Sequence, residues 1–117
     1  MGVGDRISDR SLLIEFFGNT PLIRIVDFLL ENRLRDFTKK EISQGSGVSW
    51  TSLYRYWSRL EEKNIVKITR QIGRIKLYQL NEVSPIVKDI KRIEMALINQ
   101  SVGEEAEAHR KPIKAVA

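Results

Sequence analysis

The chain has 117 residues, 42% hydrophobic and 30% charged, with 20 Lys and Arg against 15 Asp and Glu and a formal net charge of +5. That length fits one domain with a modest core, and the lack of cysteine excludes a disulfide scaffold, a thiolate zinc site and a thiol nucleophile. A single histidine, His109, excludes a multi-histidine metal site, and no apolar run approaches the roughly 18–20 residues that span a bilayer.

Residues 1–8 read as a flexible N-terminus. Leu12, Leu13, Phe16 and Phe17, closed by Gly18-Asn19, predict a short helix over residues 9–17. Thr20-Pro21 is a cap with a proline in the first helical turn. Leu22, Ile25, Val26, Leu29 and Leu30 then recur at three- and four-residue steps, which predicts an amphipathic helix over Pro21–Asn32. Arg33–Asp36 reads as a loop, with a brief strand around Phe37. Thr38-Lys39-Lys40-Glu41 is a capping box that opens a short helix to about Gln44. Gly45-Ser46-Gly47-Val48 predicts a tight turn in which glycine supplies left-handed torsions. Ser49 then caps a helix from Trp50 to about Lys63, with Leu53, Trp57 and Leu60 on its apolar face and Arg55, Ser58, Arg59 and Glu62 opposite.

After Asn64, a helix-ending residue, the pattern turns β-branched. Ile65–Arg70 and Arg74–Tyr78 predict two strands joined by Gln71-Ile72-Gly73. Their register stays open, because Ile75/Leu77 and Tyr78/Leu80 favour different faces. Ser84-Pro85 repeats the cap-plus-proline device, and Val83, Ile86, Ile90, Ile93 and Leu97 form an a/d seam on a last helix over residues 83–100. That seam either packs within the monomer or pairs with a second copy, and dimerisation is the reading adopted. Residues 101–117 read as a polar tail, disordered or a frayed helix, in which His109 has no metal role.

Charge is unevenly placed. Basic and acidic side chains cancel within residues 1–49 and again within 81–117. Residues 50–80 hold Arg55, Arg59, Lys63, Lys67, Arg70, Arg74 and Lys76 against only Glu61 and Glu62. The whole net charge therefore sits in one stretch, the footprint of a polyanion binder.

Helix, short helix, tight turn, helix, hairpin, helix is the order of a winged helix-turn-helix. The expected fold class is thus mainly α with a small β-hairpin, a winged helix-turn-helix over residues 9–82 with an added C-terminal dimerisation helix. Residues 38–66 resemble the helix-turn-helix of prokaryotic, particularly archaeal, winged-helix transcription regulators. Gly47-Val48-Ser49, Leu53-Tyr54-Arg55 and Leu60-Glu61-Glu62-Lys63-Asn64-Ile65-Val66 carry most of the likeness, and Phe17-Gly18-Asn19-Thr20-Pro21 adds to it. The resemblance covers roughly residues 12–97. Asn64 stands where that family more often has Gly, and Trp50, Tyr56 and Trp57 make the recognition helix unusually aromatic.

A recognition helix enters the major groove with its N-terminal side chains leading. Here Ser49, Trp50, Thr51 and Ser52 lead, and Tyr54 and Arg55 follow one turn on. Trp50 has two readings, DNA contact or packing against the turn; Trp57 reads as core. Thr51 and Ser52 suit phosphates or base edges, and Arg55 suits a two-pronged pair with guanine. Arg59 would reach backbone phosphate, Arg70 and Arg74 flank the hairpin tip and would project into an adjacent minor groove or against phosphates, and Lys39 and Lys40 start a helix whose free amides favour a phosphate. The expected function is a homodimeric, sequence-specific, double-stranded DNA-binding transcription regulator in the cytoplasm, with no cofactor, no metal and no membrane partner. The opening Met1-Gly2-Val3-Gly4-Asp5-Arg6 has no basic-then-apolar signal pattern. A small-molecule effector would have to bind at the dimer interface. The alternatives are an architectural or partition DNA binder and a protein–protein adaptor. An enzyme ranks behind both, because the acidic residues lack a histidine partner, a phosphate loop or a metal set.

Overall fold

The computed structural model describes residues 11–110, with side chains to Glu104. Among the described residues, five helices and one hairpin follow in order: α1 (Leu12–Phe17), α2 (Pro21–Glu31), α3 (Lys39–Ser46), α4 (Trp50–Glu62), β1 (Val66–Ile72), β2 (Ile75–Leu80) and α5 (Pro85–Arg110). The chain is a winged helix-turn-helix, mainly α with a small antiparallel hairpin. Residues 1–8, and Asp9 and Arg10 of the first expected helix, lie outside the described residues.

Short polar side chains start the helices. Ser11, Thr20, Thr38 and Ser49 each accept a backbone N–H three residues on, and Thr38 and Glu41 close the capping box in both directions. The apolar stripe of α2 buries Ile25, Val26, Leu29 and Leu30 against Ile42, Leu53, Trp57 and Leu60 of the helix-turn-helix. At the turn between α3 and α4, Gly47 is left-handed (φ 71°), and the Arg24 guanidinium of α2 donates to the Ser46 and Gly47 carbonyls at 3.2 and 2.8 Å. The turn is shorter than Gly45-Ser46-Gly47-Val48 suggested, because Gly45 and Ser46 belong to α3. Gly45 answers to packing rather than to torsion: a Cβ there would lie 2.3 Å from the Phe28 ring. Asn64 ends α4 at φ 57°, in the left-handed region.

The hairpin closes at Gly73-Arg74 with Ile72 opposite Ile75, and Phe37 adds an antiparallel bridge to Tyr78 on the outer side of β2. A bulge at Thr69 shifts the register between Ile68 and Arg70. It moves the β1 side chains after it to the other face, while β2 alternates without a break. Tyr78 and Leu80 join the main core, whereas Leu77 is buried apart from it, on the other face of the ribbon.

The last helix departs from its expected form in two ways. It runs to Arg110, so it extends beyond residue 100 and residues 101–110 follow the helical of the two readings of the tail; residues 111–117 lie outside the described ones. Its seam also divides. Val87 is fully buried, and Ile90 and Leu97 pack against the core of their own chain. Ile86 and Ile93 stay exposed, as does Val83, which precedes the helix in a turn. Helix α1 packs against α5, and that packing takes up part of the stripe a periodicity argument leaves free.

Three carboxylates gather where α2 faces α5. Asp27 is 7% exposed and its Oδ1 lacks a hydrogen-bond partner. Burial pushes the Asp27 carboxyl up, with a hydrogen bond from Ser11 pulling back. Glu31 and Glu94 are raised by burial first and by the Asp27 charge second. Acids raised in the folded state favour it when protonated, and that contribution is lost as pH rises through their folded pKa. Asp27→Asn should therefore stabilise the protein at pH 7, by about 1–3 kcal/mol for a buried group without a partner. The difference should vanish as pH falls below the ordinary carboxylate range. Thermal melts of both proteins across that range check it, and a less stable variant at pH 7 would show that the charge is useful.

Candidate nucleic-acid interface

The N-terminal ends of α3 and α4 and the wing meet around a concavity of about 460 Å³ lined by Thr38, Lys39, Lys40, Trp50, Arg74, Ile75, Lys76 and Tyr78. Each residue arrives for a local reason. The capping box turns the chain so that Lys39 and Lys40 occupy the first turn of α3. Strand alternation sets Lys76 and Tyr78 on one face of β2, and Arg74 stands in the turn just before it. Trp50, directly after the Ser49 cap, is 45% exposed and stands edge-on to Tyr54 at 4.9 Å between ring centres. It also borders a smaller hollow with Lys40, Ser43 and Gln44 of α3. Four of the lining residues are cationic and none is acidic.

Pairing within the chain leaves most of the basic stretch free. Of its seven basic side chains, Arg70 has a carboxylate partner, while Arg55, Arg59, Lys63, Lys67, Arg74 and Lys76 have none within 4.0 Å among the described residues. The outward face of α4 presents Thr51, Tyr54 and Arg55, all exposed, with Ser52 half-buried beside them. The Ser49 hydroxyl accepts the Ser52 N–H at 3.1 Å, so its first duty is the cap. Arg59 sets its guanidinium 5.2 Å from the Tyr56 ring centre rather than against Glu62.

Two expected DNA-facing residues are placed differently. Arg70 does not join the cleft: its guanidinium grips the Asp36 carboxylate with two bonds of 3.0 and 3.3 Å, and the Thr69 hydroxyl donates to the same carboxylate at 2.6 Å. The register puts Arg70 on the ribbon face shared with Leu77, opposite Lys76. Hydrogen bonds from Thr69 and Arg70 hold the Asp36 carboxyl below its ordinary range, so this clasp at the base of the wing loosens only in acid. Lys39 is drawn inward, its Nζ 5.2, 5.4 and 5.8 Å from the ring centres of Tyr54, Trp57 and Tyr78. Cation–π attraction thus holds one cation at the cleft floor. Burial pushes the Tyr78 hydroxyl up, with the Glu61 charge adding to the shift, so the ring stays neutral beside that ammonium.

Sequence reasoning missed Thr38, Lys76 and Tyr78 as parts of this surface. For the last two the signal was the two-residue step Lys76, Tyr78, legible once β2 was assigned. Among the described residues no group of three or more metal-ligating side chains comes together, and no helix is long and apolar enough to cross a membrane.

No family model matches the chain, and no curated protein matches it. Solved structures similar to the chain include two. Sso10a-2, a DNA-binding protein from Sulfolobus solfataricus, is 15% identical over 76% of this chain and 95% of its own, at a TM-score of 0.47. A mutant of Lactococcus lactis ZitR in its apo form is 18% identical over 90% of this chain and 83% of its own, at a TM-score of 0.50. At that identity the likeness to ZitR establishes a shared fold across most of the chain.

Proposed function

We propose that the protein is a homodimeric transcription regulator that binds double-stranded DNA in a sequence-specific manner. The observation that carries this reading is the cation-lined, carboxylate-free cleft between the two helix starts and the wing, bordered by basic side chains that have no carboxylate partner among the described residues. In the proposed complex the N-terminal half of α4 lies in the major groove. Arg55 reads a base edge, Thr51 and Ser52 meet bases or phosphates, and Lys40, Arg74 and Lys76 meet the flanking backbone. Arg70 acts indirectly by anchoring the wing to Asp36. No catalytic step, cofactor or metal is part of the reading.

The deciding experiment is selection of bound sites from random duplexes. A palindromic consensus supports a dimeric regulator, and no enrichment despite binding favours an architectural or partition role. Failure to bind duplex DNA favours a protein–protein adaptor. With about four or five phosphates met per subunit, log affinity against log salt should fall with a slope of roughly −6 to −10 for a dimer.

The dimer is proposed to form through the exposed edge of α5, where Ile86 and Ile93 lie one heptad apart. Ile90 already serves the monomer core, so a charge at position 90 would unfold rather than dissociate. Ile93→Asp sets a charge on the exposed edge instead. It should convert a micromolar dimer to a folded monomer, read by sedimentation with circular dichroism as the folding control. A wild type that sediments as a monomer overturns this assignment.

A further inference from the structure

The wing tip is apolar where a solvent-exposed turn is ordinarily polar. Ile72 and Ile75, 59% and 55% exposed, are directly opposed across the hairpin and close its Gly73-Arg74 turn. Neither belongs to the core. A Cβ built on Gly73, whose φ is +64°, meets nothing within 4 Å, so the turn itself is open to solvent. The Gln71 side chain donates to the Gly73 carbonyl at 3.0 Å and holds the turn in shape. Between Glu62 and Glu82 the chain has no acidic residue, and Lys67, Arg70, Arg74 and Lys76 line the same hairpin. A β-branched pair does stabilise a hairpin, but threonine would serve that end without exposing two isoleucines.

We propose that this tip is a wedge. Resting on the duplex-binding reading above, Ile72 and Ile75 enter the minor groove beside the recognition site, part a base step and bend the DNA, while Arg74 holds the adjacent phosphates. An occupant that is anionic outside and apolar within matches this combination of charge and side chain. The stacked bases of a duplex, reached through the narrow minor groove between two phosphate walls, have that character. Flexible pyrimidine–purine steps would part most readily, so the wing contributes to site preference without hydrogen-bonding a base.

The test uses the full chain and a duplex of about 40 base pairs with a TA step in each helical turn and a fluorophore at each end. Binding is followed by anisotropy and bending by energy transfer at saturation. Wild type should shorten the end-to-end distance as a bend of roughly 20–90° requires. Ile72→Thr/Ile75→Thr keeps β-branching and hence the hairpin. It should bind about tenfold more weakly and leave the duplex as straight as free DNA. Arg74→Ala should bind more weakly yet bend the DNA as far as wild type once saturated. Wild-type binding without bending overturns the wedge and leaves the DNA-binding reading intact, as does equal bending by the threonine variant. A wild-type mass that falls in the threonine variant assigns the tip to self-association and overturns the wedge. No binding by wild type at low salt overturns both readings.

Discussion

Lys40→Glu combined with Arg74→Glu should cut duplex affinity at least a hundredfold at about 0.1 M salt, a loss of roughly 2.7 kcal/mol or more. The two residues line opposite walls of the cleft, one on the first turn of α3 and the other at the wing. Neither has a carboxylate partner among the described residues. Each reversal removes an attraction to phosphate and adds a repulsion, and a dimer carries both twice. The slope of log affinity against log salt should flatten by about 0.9 for every phosphate that is no longer neutralised. Because both side chains lie at the surface and hold no part of the fold together, the melting temperature should move little. Anisotropy titrations at several salt concentrations, with thermal melts beside them, check the prediction. Unchanged affinity would remove the cleft from the interface. Arg55→Ala should behave differently, relaxing preference at one position of the selected site at a cost of about 1–3 kcal/mol.

Trp57→Ala should be the most destabilising single change in the recognition helix. The indole is 3% exposed, lies in the core with Leu53 and Leu60, and stands edge-on to Tyr78 with ring centres 4.9 Å apart. Truncating a buried tryptophan costs about 3–5 kcal/mol, a large share of the roughly 5–15 kcal/mol that holds a domain of this size together. The melting temperature should fall by more than about 10 °C, on the scale of 4–8 °C per kcal/mol for a domain near 100 residues. The loss is also local. Trp57 and Tyr78 tie α4 to the wing and supply two of the three rings around Lys39, so DNA affinity should fall even below the melting transition. Trp57→Phe keeps an edge-on ring and should recover much of both losses. A variant as stable as wild type would mean that the core closes without the indole.

The local elements were legible because their causes are local. A cap followed by proline, a capping box, and apolar steps of three and four act within one turn of backbone. They therefore set α2, α3 and α4 whatever surrounds them. The concentration of basic residues in 50–80 was equally open to reading, since it needs only counting. What depends on a partner distant in sequence was not. Arg70 leaves the cleft because Asp36, 34 residues earlier, offers a carboxylate that Thr69 also holds. Lys39 turns inward because three rings from α4 and β2 converge on it. The hairpin register turns on one bulged residue, and a single-residue shift moves every later side chain to the other face. Gly45 is small because a neighbouring phenylalanine needs its space. The α5 stripe is a regular seam in sequence, yet the docking of α1 and α2 decides that Val87, Ile90 and Leu97 face inward while Ile86 and Ile93 remain outside. Periodicity says that a helix has an apolar face; only tertiary packing says how much of that face the chain itself covers, because burial is a property of the surroundings and not of the residue.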